Sequence, residues 1–379
     1  MSGGDVGADG RGADGPRLGT GRDWAELLRV SALFTVPGDA LAGAAAMGLR
    51  PNHRTLLAIG ASLSLYEAGM ALNDWADREE DAIERPHRPL PSGRIAPSAA
   101  LGAAAALTAG GLALAAGAGR PALTVASGLA ATVWAYDLGL KHTPAGPVAM
   151  AAARTLDLLL GAAATSAGTR AGTRAGTRAG TSSGEGPGPG FRVALPTALV
   201  MGAHTLAVTA VSRREAQGGS TAAPLCALAA TAALTQLLAR GGARGGARGG
   251  GTGSVTGSGA GTGAATTSEL PVGRRATVGR GLPVSIPGRP GGGARWTGAR
   301  GVVQAALAAT YAATAARPLF HAALNPSPQL TQRAVGGGIR AMIPLQAALS
   351  ARTGALGPAL LTAALAPAAR KFGRKVSVT

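Results

Sequence analysis

Three aspartates, Asp74, Asp77 and Asp81, recur at intervals of three and four residues in the stretch LNDWADREEDAIERPHRPLPSGR, residues 72–94. On a helix that spacing places three carboxylates on one face. Asn73 joins Asp77 and Asp81 at i, i+4 and i+8 on the neighbouring stripe. Carboxylates this close repel one another unless a cation lies among them. An oxygen-only donor set selects Mg²⁺ or Ca²⁺ over zinc, and Mg²⁺ is usually held by one or two carboxylates together with substrate phosphate oxygens. Alone, the motif also reads as a solvated helix end, because Arg78, Glu79 and Glu80 are interleaved and can form ion pairs. The residues that follow favour metal and phosphate. Arg85, Arg88 and Arg94 stand in a loop stiffened by Pro86, Pro89 and Pro91. A guanidinium binds phosphate oxygens through its planar fork.

The elements that must carry this motif belong in lipid. The 379 residues are 46% hydrophobic and 14% charged, with mean hydropathy +0.21, whereas a soluble domain has about 25% charged residues. A spanning helix needs about 20 mostly apolar residues. Nine stretches qualify: 27–48, 55–74, 98–118, 121–140, 146–166, 192–211, 221–239, 301–319 and 341–366. Most end at polar or Pro/Gly breaks such as Arg50-Pro51 and Arg120-Pro121, which are helix stops. The metal motif sits where the second stretch leaves lipid. The expectation is an all-α, polytopic transmembrane bundle of about nine spans, within a range of eight to ten.

Residues 1–23 are expected to form a disordered tail without the apolar core of a signal peptide. Residues 24–366 form the membrane domain. It is interrupted by Gly/Thr/Arg-rich insertions at 167–190 and 240–300, whose composition buries too little apolar surface to offset ordering. Residues 367–379 are a basic tail. The net charge of +18 does not argue for nucleic acid, since much of the arginine lies in these low-complexity runs without interleaved aromatics. No nucleic acid and no obligate protein partner are expected. The single cysteine, Cys226, excludes a disulfide framework and a Cys-rich metal site.

The run Asn73-Asp74-Trp75-Ala76-Asp77-Arg78-Glu79-Glu80-Asp81, followed by ERPHRPLPSGR, resembles the N-D-x-x-D-x-x-x-D signature of the UbiA superfamily of membrane prenyltransferases. The stretch YDLGLKHT at 136–143 resembles that family's second loop, with Lys141 matching its diphosphate-binding lysine. The sequence looks closest to an EboC-like bacterial subgroup. The resemblance covers about 24–366 apart from the insertions. It implies an enzyme that moves a prenyl group from a prenyl diphosphate to an aromatic or hydroxyl acceptor. It also implies Mg²⁺ on Asn73, Asp74, Asp77 and Asp81, and diphosphate held by Arg85, Arg88 and Lys141. A non-catalytic membrane transporter or carrier of a phosphorylated lipid is the rival reading, and a turnover assay separates enzyme from carrier.

One motif departs from that family. A second aspartate-rich motif is expected after the sixth span, but SRREAQGG at 212–219 keeps one acid, Glu215, beside Arg213 and Arg214. Either Glu215 holds a second metal weakly, or an arginine supplies the positive charge instead. Intramembrane ionisable residues are costly and by default functional. Asp39, Glu67, Arg154 and Asp157 are therefore acceptor-pocket candidates, with Arg154 and Asp157 spaced to pair. His204 reads as a core histidine rather than a base. The multi-pass protein is expected in the cell membrane with loops 75–97, 137–145 and 212–220 facing the cytoplasm. The basic run RKFGRK near the C-terminus then falls outside, against the positive-inside rule.

Overall fold

The computed structural model describes residues 18–176, 189–213, 220–240 and 292–376. Among these residues it is all helical. The first helix, α1 (Gly21–Leu27), opens with a capping box in which Thr20 and Asp23 satisfy each other's backbone N–H groups. A 3-10 turn (Val30–Thr35) and the ten-residue α2 (Pro37–Ala46) follow. The expected first span, 27–48, is thus broken. Pro37 starts a new helix because it offers no N–H to continue the old one.

The helices α3 (His53–Ala76), α4 (Arg78–Glu84), α5 (Pro97–Ala118) and α6 (Arg120–Ala135) come next, and α6 passes into a π-helical segment, Tyr136–Leu140. Beyond it lie α7 (Gly146–Gly176), α8 (Pro189–Ser212), α9 (Ala222–Arg240), α10 (Gly292–Leu324), α11 (Pro328–Arg352) and α12 (Leu356–Val376). Helix α7 runs ten residues into the expected 167–190 insertion, and α8 begins at its end; 177–188 and 241–291 lie outside the described residues.

Among the described residues, six helices are long and apolar enough to cross a membrane: α3, α5, α6 with its π segment, and the described parts of α7, α8 and α9. The protein is a multi-pass membrane protein. The expected ninth span, 341–366, is two helices. Gly354 at φ +84 turns the chain between α11 and α12, a conformation that glycine adopts without a Cβ penalty. Every residue of α11 from Ala341 to Ala351 is buried. This half of the helix faces protein on all sides, so it does not need the hydropathy of one that faces lipid, whereas Gln332, Arg333, Ile339 and Arg340 before it are exposed.

Two packing features fix the site. Helices α2 and α7 touch backbone to backbone: a Cβ on Gly43 would meet the Leu158 carbonyl, and one on Gly161 would meet the Ala40 backbone. At the other end, Leu27, Leu72, Leu90, Ile95 and Ala100 form one apolar cluster with Trp24 and Trp75. It joins α1, the end of α3 and the loop after α4.

Candidate functional site

The C-terminal end of α3 carries Asn73 and Asp74 on its last turn. Asp77 caps the junction to α4, whose first turn holds Asp81. The motif is therefore bent, not one straight helix. Asp74 and Asp81 are buried, and Asp77 is partly exposed.

Each carboxylate is engaged by at least one cation, and two of them share Arg88. Asp74 Oδ1 lies 3.0 Å from Arg29 Nη2 and 3.6 Å from Arg88 Nη1. Asp81 Oδ2 lies 2.6 Å from the same Arg88 nitrogen, and its Oδ1 lies 3.2 Å from Arg85 Nη1. Asp77 pairs with the Lys141 ammonium. Arg85, Arg88 and Lys141, expected on the diphosphate, thus converge on the carboxylates expected to hold metal. Arg94 is different: it turns away to α1, bonding Asp23 and Glu26.

Lys141 reaches Asp77 because of the π segment. The Lys141 N–H donates to the Tyr136 carbonyl at 2.9 Å, a bond spanning five residues. Such single turns are frequent at functional sites. The extra residue aims the buried Asp137 at Asn73, whose Nδ2 donates to Asp137 Oδ1 at 3.1 Å. The turn after it is tight, since a Cβ on Gly146 would lie 2.9 Å from the Lys141 carbonyl oxygen.

Arg213, at the end of α8, donates to the Thr143 carbonyl in that same turn. Three loop regions therefore meet at one end of the bundle. Arg214 and Glu215 lie outside the described residues.

Two members of the cluster escaped sequence reasoning. Arg29 has the left-handed backbone φ of 50 between α1 and the 3-10 turn, and nothing in its sequence surroundings marks it. Asp137 stood in the YDLGLKHT stretch, but its partner became visible only with the π geometry.

Deeper in the bundle, Arg154 Nη1 lies 3.1 Å from Asp39 Oδ2 and 3.7 Å from Asp157 Oδ2. The i, i+3 partner expected for Arg154 is thus its longer contact. Arg154 Nη2 also donates to the Thr35 carbonyl and meets Met342 Sδ, while Ser62 donates to Asp157. Glu67 stands apart. It is 8% exposed, and neither carboxylate oxygen has a hydrogen-bond partner. It lies two turns below Asp74 on the same stripe of α3, about 10 Å along the axis.

His204 is fully used. Its Nε2 lies 3.0 Å from the Gly338 carbonyl and its Nδ1 3.1 Å from the Tyr311 hydroxyl. A carbonyl only accepts, so Nε2 carries the proton and Nδ1 accepts from tyrosine. It is a structural histidine.

The donor set fits a hard divalent cation. Asn73, Asp74, Asp77 and Asp81 offer oxygen, and the guanidinium and ammonium groups seated on them neutralise charge that a cation would otherwise balance. Asp77, Glu80 and His142 also bring ligand atoms within 4.8 Å of one another. That group is largely exposed and includes an imidazole, which suits transition metals more than magnesium.

Known proteins resemble this chain in sequence and in fold. The model of the UbiA prenyltransferase family matches residues 31–219. A digeranylgeranylglyceryl phosphate synthase from Methanothrix thermoacetophila is 34% identical over 144 residues, covering 37% of this chain and 54% of that protein. The Methanopyrus kandleri enzyme of the same name is 34% identical over 128 residues, covering 32% and 45%. The chain spans about half the length of these curated relatives. They are archaeal synthases of that name, not members of the EboC-like bacterial subgroup that the sequence suggested.

The fold is similar to that of a solved digeranylgeranylglyceryl phosphate synthase in membranes, with TM-score 0.51 and 16% identity over 89% of this chain and 98% of that one. It is equally similar, at TM-score 0.51 and 18% identity over 81% and 96%, to a UbiA homolog from Aeropyrum pernix K1. Through residues 31–219 the chain belongs to the UbiA prenyltransferase family.

Proposed function

We propose that this protein transfers a prenyl group from a prenyl diphosphate to a hydroxyl-bearing lipid acceptor. The observation that carries this reading is the pairing of Asp74, Asp77 and Asp81 with Arg29, Arg85, Arg88 and Lys141. Four carboxylates, counting Asp137, face four cations, so the cluster is near neutral. The guanidinium and ammonium groups can turn from carboxylate to diphosphate when a metal cation takes their place on the carboxylates. Asn73, Asp74, Asp77 and Asp81 are the residues that would hold magnesium, and bound magnesium supplies further positive charge beside the diphosphate.

As the donor's C1–O bond breaks, its electron pair passes to the diphosphate. Arg29, Arg88 and Lys141 stabilise the charge that grows there. Arg213 adds a cation from the α8 side in place of the family's second acidic motif. Arg213→Ala should lower the turnover rate more than donor affinity, because its contact strengthens as charge develops. The apolar helices hold the isoprenoid tail and keep water from the allylic cation. The acceptor oxygen then bonds to C1 and loses its proton.

Glu67 has free hydrogen-bonding capacity on the face leading from Asp74 into the bundle, so we place the acceptor's polar group there. Asp39, Arg154 and Asp157 act as the structural floor of that space. The relatives' shared name describes prenyl groups carried on a glyceryl phosphate, which favours a hydroxyl acceptor over an aromatic carbon. The three converging loops carry Arg78, Arg85, Arg88, Lys141 and Arg213, which supports a cytoplasmic orientation for this end. If α11 and α12 each cross the bilayer, RKFGRK returns to that same side.

The test feeds labelled prenyl diphosphates of several lengths to membranes containing the protein, with glyceryl phosphate or aromatic acceptors, and reads products by mass spectrometry. Prenylated hydroxyl product dependent on the protein is the expected result. No product with any acceptor overturns the reading, and aromatic product alone overturns the acceptor class.

A further inference from the structure

Arg94 spends all five N–H groups away from the carboxylate cluster. Its Nη1 donates to Asp23 Oδ1 at 2.6 Å and to Glu26 Oε2 at 2.8 Å. Its Nη2 donates to Glu26 Oε1 at 3.1 Å and to the His87 carbonyl at 2.7 Å, and its Nε donates to Ser92 Oγ at 3.0 Å. One side chain thus binds two pieces of chain: α1, and the loop after α4.

Each piece ends in a guanidinium on Asp74. Arg29 follows α1 by two residues and reaches Asp74 Oδ1 at 3.0 Å. Arg88 follows His87 directly and reaches Asp81 and Asp74. Partly exposed ion pairs such as those of Arg94 contribute little to stability, typically about 0–1 kcal/mol. The same two pieces are also held by the apolar cluster of Leu27, Leu90 and Ile95. Arg94 is therefore not needed to keep them together. What it supplies is direction, since its fork fixes how α1 lies against the loop.

We propose that Arg94 is a positioning residue: by latching α1 to the 85–94 loop, it places Arg29 and Arg88 together at Asp74 to receive the donor's diphosphate. The inference rests on the proposed donor site. It predicts that a residue touching neither Asp74, Asp77 and Asp81 nor the substrate controls diphosphate affinity from the far side of the loop.

The test measures binding of inorganic diphosphate, with magnesium present, to the purified full-length protein in detergent by calorimetry, alongside thermal unfolding. In Arg94→Ala, affinity should fall at least about tenfold, within the range of about 10²-fold that a 1 Å misplacement can cost. The Asp23→Asn, Glu26→Gln double variant should reproduce that loss from the α1 side. Arg94→Lys, which keeps the charge but not the fork, should recover only part of it. Combined with Arg29→Ala, Arg94→Ala should cost less than the two separate effects predict, because the second acts partly through the first. Combined with Arg213→Ala, the effects should simply add.

Wild-type affinity in Arg94→Ala, with or without a lower unfolding temperature, overturns the positioning role. Full additivity with Arg29→Ala does the same. Failure of the wild-type protein to bind diphosphate overturns the donor-site reading itself, so the two failures are distinguishable.

Discussion

Among the described residues, the charge cluster at the loop end and the one in the bundle interior are built differently. At the loop end, two of the cations are long and open, with the side chains of Arg29 and Arg85 41% and 50% exposed, while Arg88 is 21% and Lys141 9% exposed. In the interior, Arg154 is 11% exposed between Asp39 and Asp157. It is further tied to the Thr35 carbonyl, beside the α2–α7 crossing where Gly43 and Gly161 bring backbones into contact. An open pair can part at small cost, because water and ligand replace the lost partner. An enclosed pair cannot, because removing one side leaves a bare charge in a low-dielectric medium. Exchangeable pairing suits a site that must take up a charged substrate, and fixed pairing suits a joint between helices.

The contrast breaks most sharply at the aspartates. Asp74→Ala and Asp77→Ala should each lower product formation by about 10²–10³ or more, the scale of a lost transition-state contact, while the protein stays folded. Near wild-type turnover at limiting magnesium in either variant would remove the metal assignment. The interior cluster should respond in the opposite way. Arg154→Met leaves two acids unpaired and should cost about 3–5 kcal/mol of stability, visible as lower thermal resistance in detergent. Replacing Asp39, Arg154 and Asp157 together by Asn, Met and Asn should restore much of it. If the triple variant is no better than Arg154→Met, the cluster does more than join helices.

Glu67 lies between the two kinds. Glu67→Gln should raise the acceptor KM by about tenfold, the lower end for a lost hydrogen bond to a charged group, with the donor KM unchanged. A matching rise in donor KM would place Glu67 on the wrong substrate. The smallest effect concerns α1. The Thr20 hydroxyl and backbone N–H donate to the Asp23 carboxylate, and with Arg94 beside it they hold its pKa down at about 2, below the ordinary 3.8. Its contribution is thus complete above the ordinary value and is lost as the pH falls through about 2. Trp24 fluorescence, followed from pH 5 downward, should change near pH 2 in wild type and not in Asp23→Asn. A transition near pH 4 would show that the latch does not hold Asp23.

Much of this was legible in the residues, and the exceptions have physical causes. Asp74, Asp77 and Asp81 declared themselves by spacing, although the helix breaks at Asp77 and periodicity alone cannot see a junction. Arg94 looked like a third phosphate ligand because it shares a stiff loop with Arg88; only packing shows that Glu26 claims it. Arg29 carried no signal, since its position follows from one left-handed residue. Hydropathy counts the half of α11 from Ala341 to Ala351 as the start of a lipid-crossing span, although protein surrounds it on every face. Gly354 was read through as part of a span because alanine-rich sequence continues on both sides.

The single Arg88 nitrogen shared by Asp74 and Asp81 has a consequence for binding order. Drawing that guanidinium onto an anion frees oxygens on both carboxylates at once, and occupying those oxygens with a cation releases the guanidinium. Anion and cation therefore favour each other's binding, and by linkage each must raise the other's affinity by the same factor. Neither ligand alone need bind tightly, and titrations with either one in the absence of the other should understate the strength of the assembled site.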